Sequence, residues 1–277
     1  MKKIISLAIC TLMLVALVLT AASCGKKTPI GVQAGTTGEY FVNGDESWGF
    51  EGLDGYEAKG YSNGGLAITD MKNGVVEYVI IDKAPALQLA KSIKGIKVID
   101  IELTQETYAF GVDKNQADLL ASINNILAEK QDEIKAIIDK YATGEGIVAI
   151  ESAKKDLNKA DKQLVVATNA AFPPFEYKDG NKFAGVDIEI MKLVADTLEL
   201  ELVIEDMEFD SVVTSVGSHG VDVAAAGLSV NEERAKSVNF STSYYDAAQV
   251  LIVLDNCTEF DGCKTADDVI AKLDELK

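Results

Sequence analysis

The stretch Leu164–Tyr177, LVVATNAAFPPFEY, constrains the fold of this chain more than any other part of its sequence. Its first residues, Leu164–Thr168, form a short β-branched run, which is typical of a strand buried on both faces of a parallel sheet. Pro173 and Pro174 prevent the next segment from continuing as strand or helix. Such a loop is where open α/β sheets bind ligands, and Phe172 would offer a flat apolar surface there. Taken alone, however, the stretch fits a strand followed by a rigid turn with a core phenylalanine better than it fits a ligand-binding loop.

Predicted strands and helices alternate along the rest of the chain. Apolar runs rich in β-branched residues predict strands, and apolar residues at helical spacing predict helices. This alternation indicates an α/β protein with largely parallel sheets. The polar segment Ala142–Gln163 predicts a linker. The other predicted strands are Ile30–Gln33, Glu57–Tyr61, Val75–Ile81, Ile96–Ile101, Thr107–Val112, Glu201–Ile204, Val221–Ala226 and Tyr245–Leu254, and the longer predicted helices are Gly65–Lys72, Gln116–Lys130, Asp132–Tyr141, Val186–Leu198 and Thr265–Leu276.

Polar side chains stand just past the carboxyl ends of several predicted strands. Asp82 can cap the next helix, or it can face the sheet crevice and receive a ligand cation. Thr36 and Thr37 open a predicted helix, either as plain caps or as a site for a carboxylate. Arg234 offers a planar fork of donors to a carboxylate, although a solvated helix face is the common position of an arginine. Together with an aromatic surface, these groups match the requirements of an α-amino acid.

The first residues have the pattern of an export signal. Lys2 and Lys3 form a positive end, Ile4–Leu19 is an apolar core, and small residues precede Cys24. A transmembrane anchor is the alternative, for which the apolar run is a little short. Met1–Ser23 resembles a bacterial lipoprotein signal, and the resemblance implies a lipid anchor at Cys24. We therefore expect an exported protein that is held at the outer face of the cytoplasmic membrane.

Charge and cysteines limit the function classes further. The 277 residues suffice for two lobes with their own cores, and the formal net charge of −18 argues against nucleic acid as a partner. Beyond the signal and Cys24, two cysteines remain, Cys257 and Cys263, at a spacing too wide for the usual zinc knuckle. They can form a small disulfide or stay as free thiols, and we favour the disulfide because exported domains keep such bonds.

The motifs at the strand ends resemble those of one family. They are similar to solute-binding protein family 3, the polar amino-acid-binding lipoproteins of ABC importers, whose type II periplasmic-binding-protein fold has two lobes. The resemblance covers nearly the whole mature chain apart from the linker. It rests on Gly35-Thr36-Thr37, Ile81-Asp82, Asn169 with Phe172-Pro173-Pro174-Phe175-Glu176, and Gly227-Leu228-Ser229 with Arg234.

The resemblance implies a ligand-binding role for each of these residues. Asn169 stands where an aspartate is frequent in members that bind cationic amino acids, so we expect a neutral polar amino acid or cystine rather than lysine, arginine or histidine. The implied contacts are Arg234 and Thr37 for the carboxylate, with Gly35 and Thr36 at the same helix start; Asp82, Gly227 and Ser229 for the amino group; Phe172 for stacking; and Asn169 and Gln33 near the side chain.

The two halves of the chain stand in the reverse of the family's order. Gly31 through the helix Asp132–Tyr141 resembles the family's second half, and Leu164–Leu276 resembles its first half. We therefore expect a circular permutant, with Thr107–Val112 and Tyr245–Val253 as hinge strands. The expected parts are the signal peptide 1–23; lobe two, 24–105 with 254–277; and lobe one, 106–253, including the linker 142–163 that joins the old termini.

The resemblance also implies a mechanism. The lobes would close on a hinge around one amino acid, and the closed monomer would dock on a membrane permease without any cofactor or metal. Two rival functions stay open. One is an enzyme, because some relatives on this fold are dehydratases of cyclic acids, and the other is a sensor or orphan binding protein. Because no general acid and base are evident beside Arg234, we expect a protein that is not an enzyme.

Overall fold

The structure is a computed structural model that describes residues 27–277. The predicted signal peptide and the lipidation site at Cys24 lie outside the described residues. No helix in the described part combines the length and the apolar character needed to cross a membrane.

Short β-branched runs form the strands, and amphipathic runs form the helices between them. Two 3₁₀ turns, Glu46–Trp48 and Leu157–Lys162, complete the regular structure of residues 27–277. The strands are β1 (Thr28–Gln33), β2 (Tyr56–Tyr61), β3 (Tyr78–Asp82), β4 (Ile96–Ile99), β5 (Glu106–Tyr108), β6 (Gly111–Asp113), β7 (Gln163–Thr168), β8 (Ala171–Phe172), β9 (Glu176–Asp179), β10 (Lys182–Ala184), β11 (Glu201–Asp206), β12 (Val223–Ala224), β13 (Val238–Phe240), β14 (Tyr245–Ala247) and β15 (Gln249–Leu254). The helices are α1 (Thr37–Asn43), α2 (Gly64–Lys72), α3 (Lys83–Ser92), α4 (Ala117–Glu129), α5 (Gln131–Thr143), α6 (Val186–Thr197), α7 (Phe209–Ser215), α8 (Glu232–Ala235) and α9 (Ala266–Leu276).

Two five-stranded sheets with the same construction form the cores of two lobes. The strand order is β2-β1-β3-β15-β4 in lobe two and β11-β7-β12-β6-β13 in lobe one. The first three strands of each sheet are parallel, whereas β15 and β6 run antiparallel to both of their neighbours. In both sheets the antiparallel strand enters directly from the connection between the lobes. The predicted α/β fold with two lobes is thus confirmed.

A two-stranded antiparallel ribbon joins the lobes. In this ribbon β5 pairs with β14, so that Tyr108 lies opposite Tyr245. The predicted hinge strands Thr107–Val112 and Tyr245–Val253 are each broken, because the chain turns from the ribbon into a sheet. We therefore correct both predictions: each continuous apolar run contains one hinge strand and one sheet strand.

The predicted lobe boundary after residue 253 also needs correction. From Gln249 to Leu254, β15 pairs with β3 and β4 of lobe two. The chain therefore enters lobe two at Gln249, directly after the hinge ribbon. The other bounds of the lobes stay predictions.

Helix α9 packs on lobe two, as the sequence predicts. The Thr265 hydroxyl accepts a hydrogen bond from the Asp268 N–H in a capping box, which fixes the start of the helix. Val269 and Leu273 are buried in the same apolar cluster as Ile30 of β1. The burial of this helix face in the cluster holds the last described helix on lobe two.

The end of α9 lies beside the first described strand. Lys277 packs against Gly55. The carbonyl oxygen of Gly55 in turn accepts a hydrogen bond of 2.9 Å from the Thr28 N–H of β1. The arrangement agrees with a circular permutation. In the family's order the end of α9 would run on into the segment before β1, and in this chain these two regions are adjacent.

The predicted linker is fastened to lobe one and does not behave as a free coil. Ile150 forms an isolated β-bridge with Phe183. Further along, the Ala153 N–H donates to the Leu202 carbonyl at 2.9 Å. These contacts hold the segment along the edge of the lobe before it enters β7.

The disulfide that we favoured is not present. Cys257 and Cys263 are both free thiols. The Cys257 Sγ donates to Glu259 Oε2 at 2.9 Å, and burial followed by this hydrogen bond raises the pKa of the thiol to about 11. A protonated thiol with a hydrogen-bond acceptor is stable without a bond to Cys263.

Candidate functional site

The predicted site residues converge where the two lobes meet. Gln33 ends β1 in lobe two, and Asn169 follows β7 in lobe one. Gln33 Nε2 donates to Asn169 Oδ1 at 3.2 Å, and both side chains are buried. The carboxyl ends of the two sheets therefore face each other, as expected for a site between lobes.

The start of α1 differs from the predicted threonine cap. Thr36 is the N-cap residue, but its side chain caps no helical N–H; its Oγ1 donates to the Gln33 carbonyl at 2.7 Å. The Gly35 N–H donates to Glu39 Oε2 at 2.7 Å. Gly35 has φ of +74°, and a Cβ there would lie 2.1 Å from the Asp210 Oδ1 of lobe one, so only glycine fits this contact between the lobes.

The sequence also predicts that Asp210 caps a short helix that runs to Val216, but this helix, α7, begins differently. Its N-cap residue is Glu208, without a side-chain cap hydrogen bond, and Asp210 lies in the first turn. The Asp210 carboxylate projects toward Gly35. The predicted cap is therefore wrong, because the helix starts one residue before Asp210.

Arg234 is buried at the interface and does not lie on a solvated helix face. It is the single arginine of the sequence and is 8% exposed. Its Nη1 donates to the Ser229 carbonyl at 2.9 Å and its Nη2 to the Gly35 carbonyl of the other lobe at 3.1 Å. Burial lowers its pKa to about 10, so the guanidinium stays charged at neutral pH. Within residues 27–277 no salt bridge joins it to a carboxylate.

Two aromatic rings, one from each lobe, lie close to this guanidinium. Its Cζ lies 5.0 Å from the ring centroid of Trp48 in lobe two and 5.3 Å from that of Phe209 in lobe one. Both distances are within the range of cation–π attraction. Both rings therefore favour a charged guanidinium at this position.

Asp82 is a buried carboxyl group at the end of β3. It is 5% exposed and makes no side-chain cap hydrogen bond to α3, so the cap interpretation is wrong. Tyr108 Oη of the hinge donates to Asp82 Oδ1. Burial and then the negative charge of Glu106 raise the pKa of Asp82 to about 7. A group in this position gains from a ligand cation.

Glu106 is a site residue that the sequence interpretation missed. Its Oε2 accepts from Thr37 Oγ1 at 2.6 Å and from Ser229 Oγ at 2.5 Å. Its Oε1 accepts from Thr104 Oγ1 at 2.6 Å and from Gln249 Nε2 at 3.1 Å. Its only sign in the sequence is a carboxylate at the start of a hinge strand. This position indicates a site residue only once the hinge is known to lie between the lobes.

Phe172 and Gly227 are in direct contact. The Phe172 ring is buried against Phe175, with centroids 6.1 Å apart. Gly227 has φ of +53°, and a Cβ there would lie 3.0 Å from the Phe172 ring and 3.2 Å from the Tyr108 ring. The close approach of these rings explains why the ligand loop has a glycine at this position.

Two buried carboxyl groups lie beneath the Gly227 loop. Asp187 accepts from the Gly227 N–H at 2.9 Å and from Tyr244 Oη at 2.5 Å, and burial raises its pKa to about 7. Burial, with the charges of Asp187 and Asp82, raises the pKa of Glu176 well above its usual range. Asp187 thus satisfies the Gly227 N–H and leaves the Gly227 carbonyl as the group of this peptide that can accept a further hydrogen bond.

Two cavities adjoin these groups. One of about 600 Å³ is lined by Thr37, Glu106 and Ser229, with Trp48 and Asn231 at its sides. The other, of about 230 Å³, is lined by Asp82, Tyr108 and Tyr245 among others. Residues 27–277 contain no group of three or more His, Cys, Asp or Glu side chains placed to hold a metal ion. The two cavities therefore bring carboxyl and hydroxyl groups to spaces large enough for a small polar ligand.

Comparison with known proteins gives a family match and partial relatives. Residues 164–275 match "Bacterial extracellular solute-binding proteins, family 3". The arginine-binding extracellular protein ArtP of Bacillus subtilis is 34% identical over 38% of this chain and 42% of its own length. A probable histidine-binding protein of Campylobacter jejuni is 27% identical over 47% of this chain and 52% of its own. The matches thus span about half the length of these relatives.

Two solved structures are similar in part. The arginine-bound form of domain 1 from TmArgBP is 30% identical over 44% of this chain and 99% of that chain, with a TM-score of 0.29. The ancestral amino acid-binding protein AncCDT-1, a precursor of cyclohexadienyl dehydratase, is 11% identical over 91% of this chain and 89% of that chain, with a TM-score of 0.47.

Proposed function

Because this chain belongs, through residues 164–275, to the bacterial extracellular solute-binding proteins of family 3, we propose that it captures one amino acid between its lobes and delivers it to an ABC permease. Its matched relatives are named as binding proteins, which favours capture over catalysis. Export and a lipid anchor at Cys24 are part of the same proposal, and they rest on the pattern of the first residues.

One observation carries this proposal. Arg234 is a buried cation, and Asp82 is a buried carboxyl group whose pKa is raised to about 7; they are 8% and 5% exposed where the lobes meet. A buried charge is costly unless a partner compensates it. An α-amino acid supplies both partners at once, because its carboxylate suits the guanidinium fork and its ammonium suits Asp82.

We propose further that the chain is a circular permutant and closes as a monomer. The equal strand order of the two sheets supports this, as does the position of Lys277 against Gly55, whose carbonyl accepts a hydrogen bond from the start of β1. The segment 142–163 would join the ends that the family leaves free on lobe one. The anchor would then attach through lobe two.

A ligand screen on residues 25–277 tests the function. We expect one or a few of the twenty amino acids and cystine to raise the thermal unfolding temperature, since a ligand that binds only the folded state stabilises it by mass action. Light scattering should give a compact monomer, and calorimetry should give one ligand per chain. No shift with any of these ligands would refute amino-acid capture, whereas an obligate dimer would refute closure within one chain.

Selectivity is a separate prediction. We expect L-glutamine to bind at least about tenfold more tightly than L-arginine, because the neutral Gln33–Asn169 pair offers no charge to a guanidinium. Competition calorimetry measures the ratio, and Asn169→Asp should shift it toward arginine. Tighter binding of arginine by the unchanged protein would reverse the prediction and direct attention to the Glu39 carboxylate.

A further inference from the structure

Glu106 contacts both lobes from the hinge. Thr37 belongs to lobe two and Ser229 to lobe one, and both hydroxyls donate to the same oxygen, Oε2. With Thr104 and Gln249 on Oε1, four donors surround the carboxylate. An ionised carboxylate has about four lone-pair sites and no hydrogen, so this set of donors matches it.

The acceptor-only character of Glu106 fixes the direction of the hydroxyl hydrogens. A serine or threonine hydroxyl has one hydrogen to donate and two lone pairs to accept with. Ser229 uses its hydrogen toward Glu106 at 2.5 Å, and so does Thr37 at 2.6 Å. The Ser229 oxygen therefore presents only lone pairs to anything else that approaches it.

We propose that Glu106 is a positioning residue that makes Ser229 an obligatory acceptor and thereby selects ligands with an α-ammonium group. The inference rests on the proposed capture of an amino acid and names the chemical class that the site admits. An ammonium brings three donors and a positive charge to this oxygen. A 2-hydroxy acid brings a neutral group, and a 2-oxo acid brings no donor at all, so both are disfavoured.

The hinge strand β5 also orients Asp82, the second acceptor proposed for the ammonium. Glu106 and Tyr108 are two residues apart on β5, so their side chains lie on the same face of the strand. Tyr108 Oη donates to Asp82, and Glu106 accepts from Ser229. Both acceptors for the ammonium are thus oriented from one strand, which is also the strand that joins the lobes.

A double-mutant cycle tests the inference on residues 25–277. The variants are Glu106→Gln, Ser229→Ala and both together, and the probes are L-glutamine and L-arginine, with the tighter one carried through. We expect each single change to lower affinity at least about tenfold, and the double change to lower it little further, because the two residues act as one unit. Additive losses, unchanged affinity or a gain in affinity would each overturn the inference.

The 2-hydroxy acid analogue of the same amino acid separates positioning from general support of closure. By competition, Glu106→Gln should leave the affinity for the analogue within about threefold while reducing that for the amino acid by at least about tenfold. Equal losses for both ligands would mean that Glu106 only holds the lobes together. Glu129→Gln is the matched control: Glu129 is exposed at the end of α4, lines neither cavity and undergoes the same charge change.

The two proposals fail in distinguishable ways. If the unchanged protein binds no amino acid, the proposed function is refuted before any variant is made. If it binds an amino acid but the variants show additive losses, unchanged or higher affinity, or equal losses for both ligands, only the role of Glu106 is refuted. Should Glu106→Gln fail to unfold cooperatively, Ser229→Ala alone must still lose the preference for the amino acid over its hydroxy analogue.

Discussion

Replacing Arg234 by alanine is expected to lower amino-acid affinity on the order of a hundredfold to several thousandfold. The guanidinium is buried, and no carboxylate among residues 27–277 forms a salt bridge with it, so the ligand would supply its anionic partner. Leaving the carboxylate of a bound ligand without this partner should cost roughly 3–5 kcal/mol. Isothermal titration with the amino acid found by the ligand screen measures the loss.

Two controls sharpen this result. Arg234→Lys keeps the charge but not the planar fork, and we expect it to recover only part of the affinity. Lys236→Ala removes one positive charge from the exposed surface two residues away and should leave the affinity unchanged. Near-native binding by Arg234→Ala in a folded protein would rule out the proposed carboxylate site.

The Asp82→Asn variant should lose ligand affinity by a similar factor and gain stability without ligand. Burial and Glu106 raise the pKa of Asp82 from 3.8 to about 7 in the folded protein. Because the pKa of Asp82 is higher in the folded than in the unfolded protein, its protonated carboxyl stabilises the fold. This contribution is complete below about pH 4 and is lost as the pH rises through 7. At pH 8 the free energy of unfolding of the variant should therefore exceed that of the unchanged protein by on the order of 2–4 kcal/mol. At pH 4 the two free energies should be nearly equal.

Chemical denaturation across this pH range tests the stability prediction. The pKa of Asp187 is also raised to about 7, but this group is present in both proteins, so the difference between them isolates Asp82. Ligand affinity of the unchanged protein should fall below pH 7, where Asp82 becomes neutral, and the weak residual affinity of the variant should not depend on this group. A variant that keeps full affinity at pH 8 would exclude Asp82 as the ammonium partner.

Much of the fold could be predicted from the sequence, because the patterns that indicate strands and helices depend on residues close together in the chain. The predicted buried strand Leu164–Thr168 lies within β7, and Thr265 caps the last helix as predicted, since both depend on residues a few positions apart. The hinge strands could not be divided from the sequence. Their apolar runs are continuous, and only the change of pairing partner between ribbon and sheet shows where the hinge ends.

The site was predictable to a smaller degree. Gln33 and Asp82 end neighbouring parallel strands of one sheet, and Arg234 follows a strand of the other, so all three lie at the carboxyl edges that the topology rule anticipates. Glu106 was not predictable in this way. Its partners come from distant parts of the chain, at Thr37 and Ser229, and a single glutamate on a short strand gives no periodic signal.

The ring that covers Arg234 makes lobe motion observable in unlabelled protein. Trp48 is the only tryptophan of the sequence, it stacks on Tyr40 with centroids 4.2 Å apart, and it touches the guanidinium of the opposite lobe. Separation of the lobes would take a cation from the face of this indole, and the emission of the indole depends on such contacts. The chain therefore contains its own optical reporter at the seam between its halves, suited to following closure in a stopped-flow instrument.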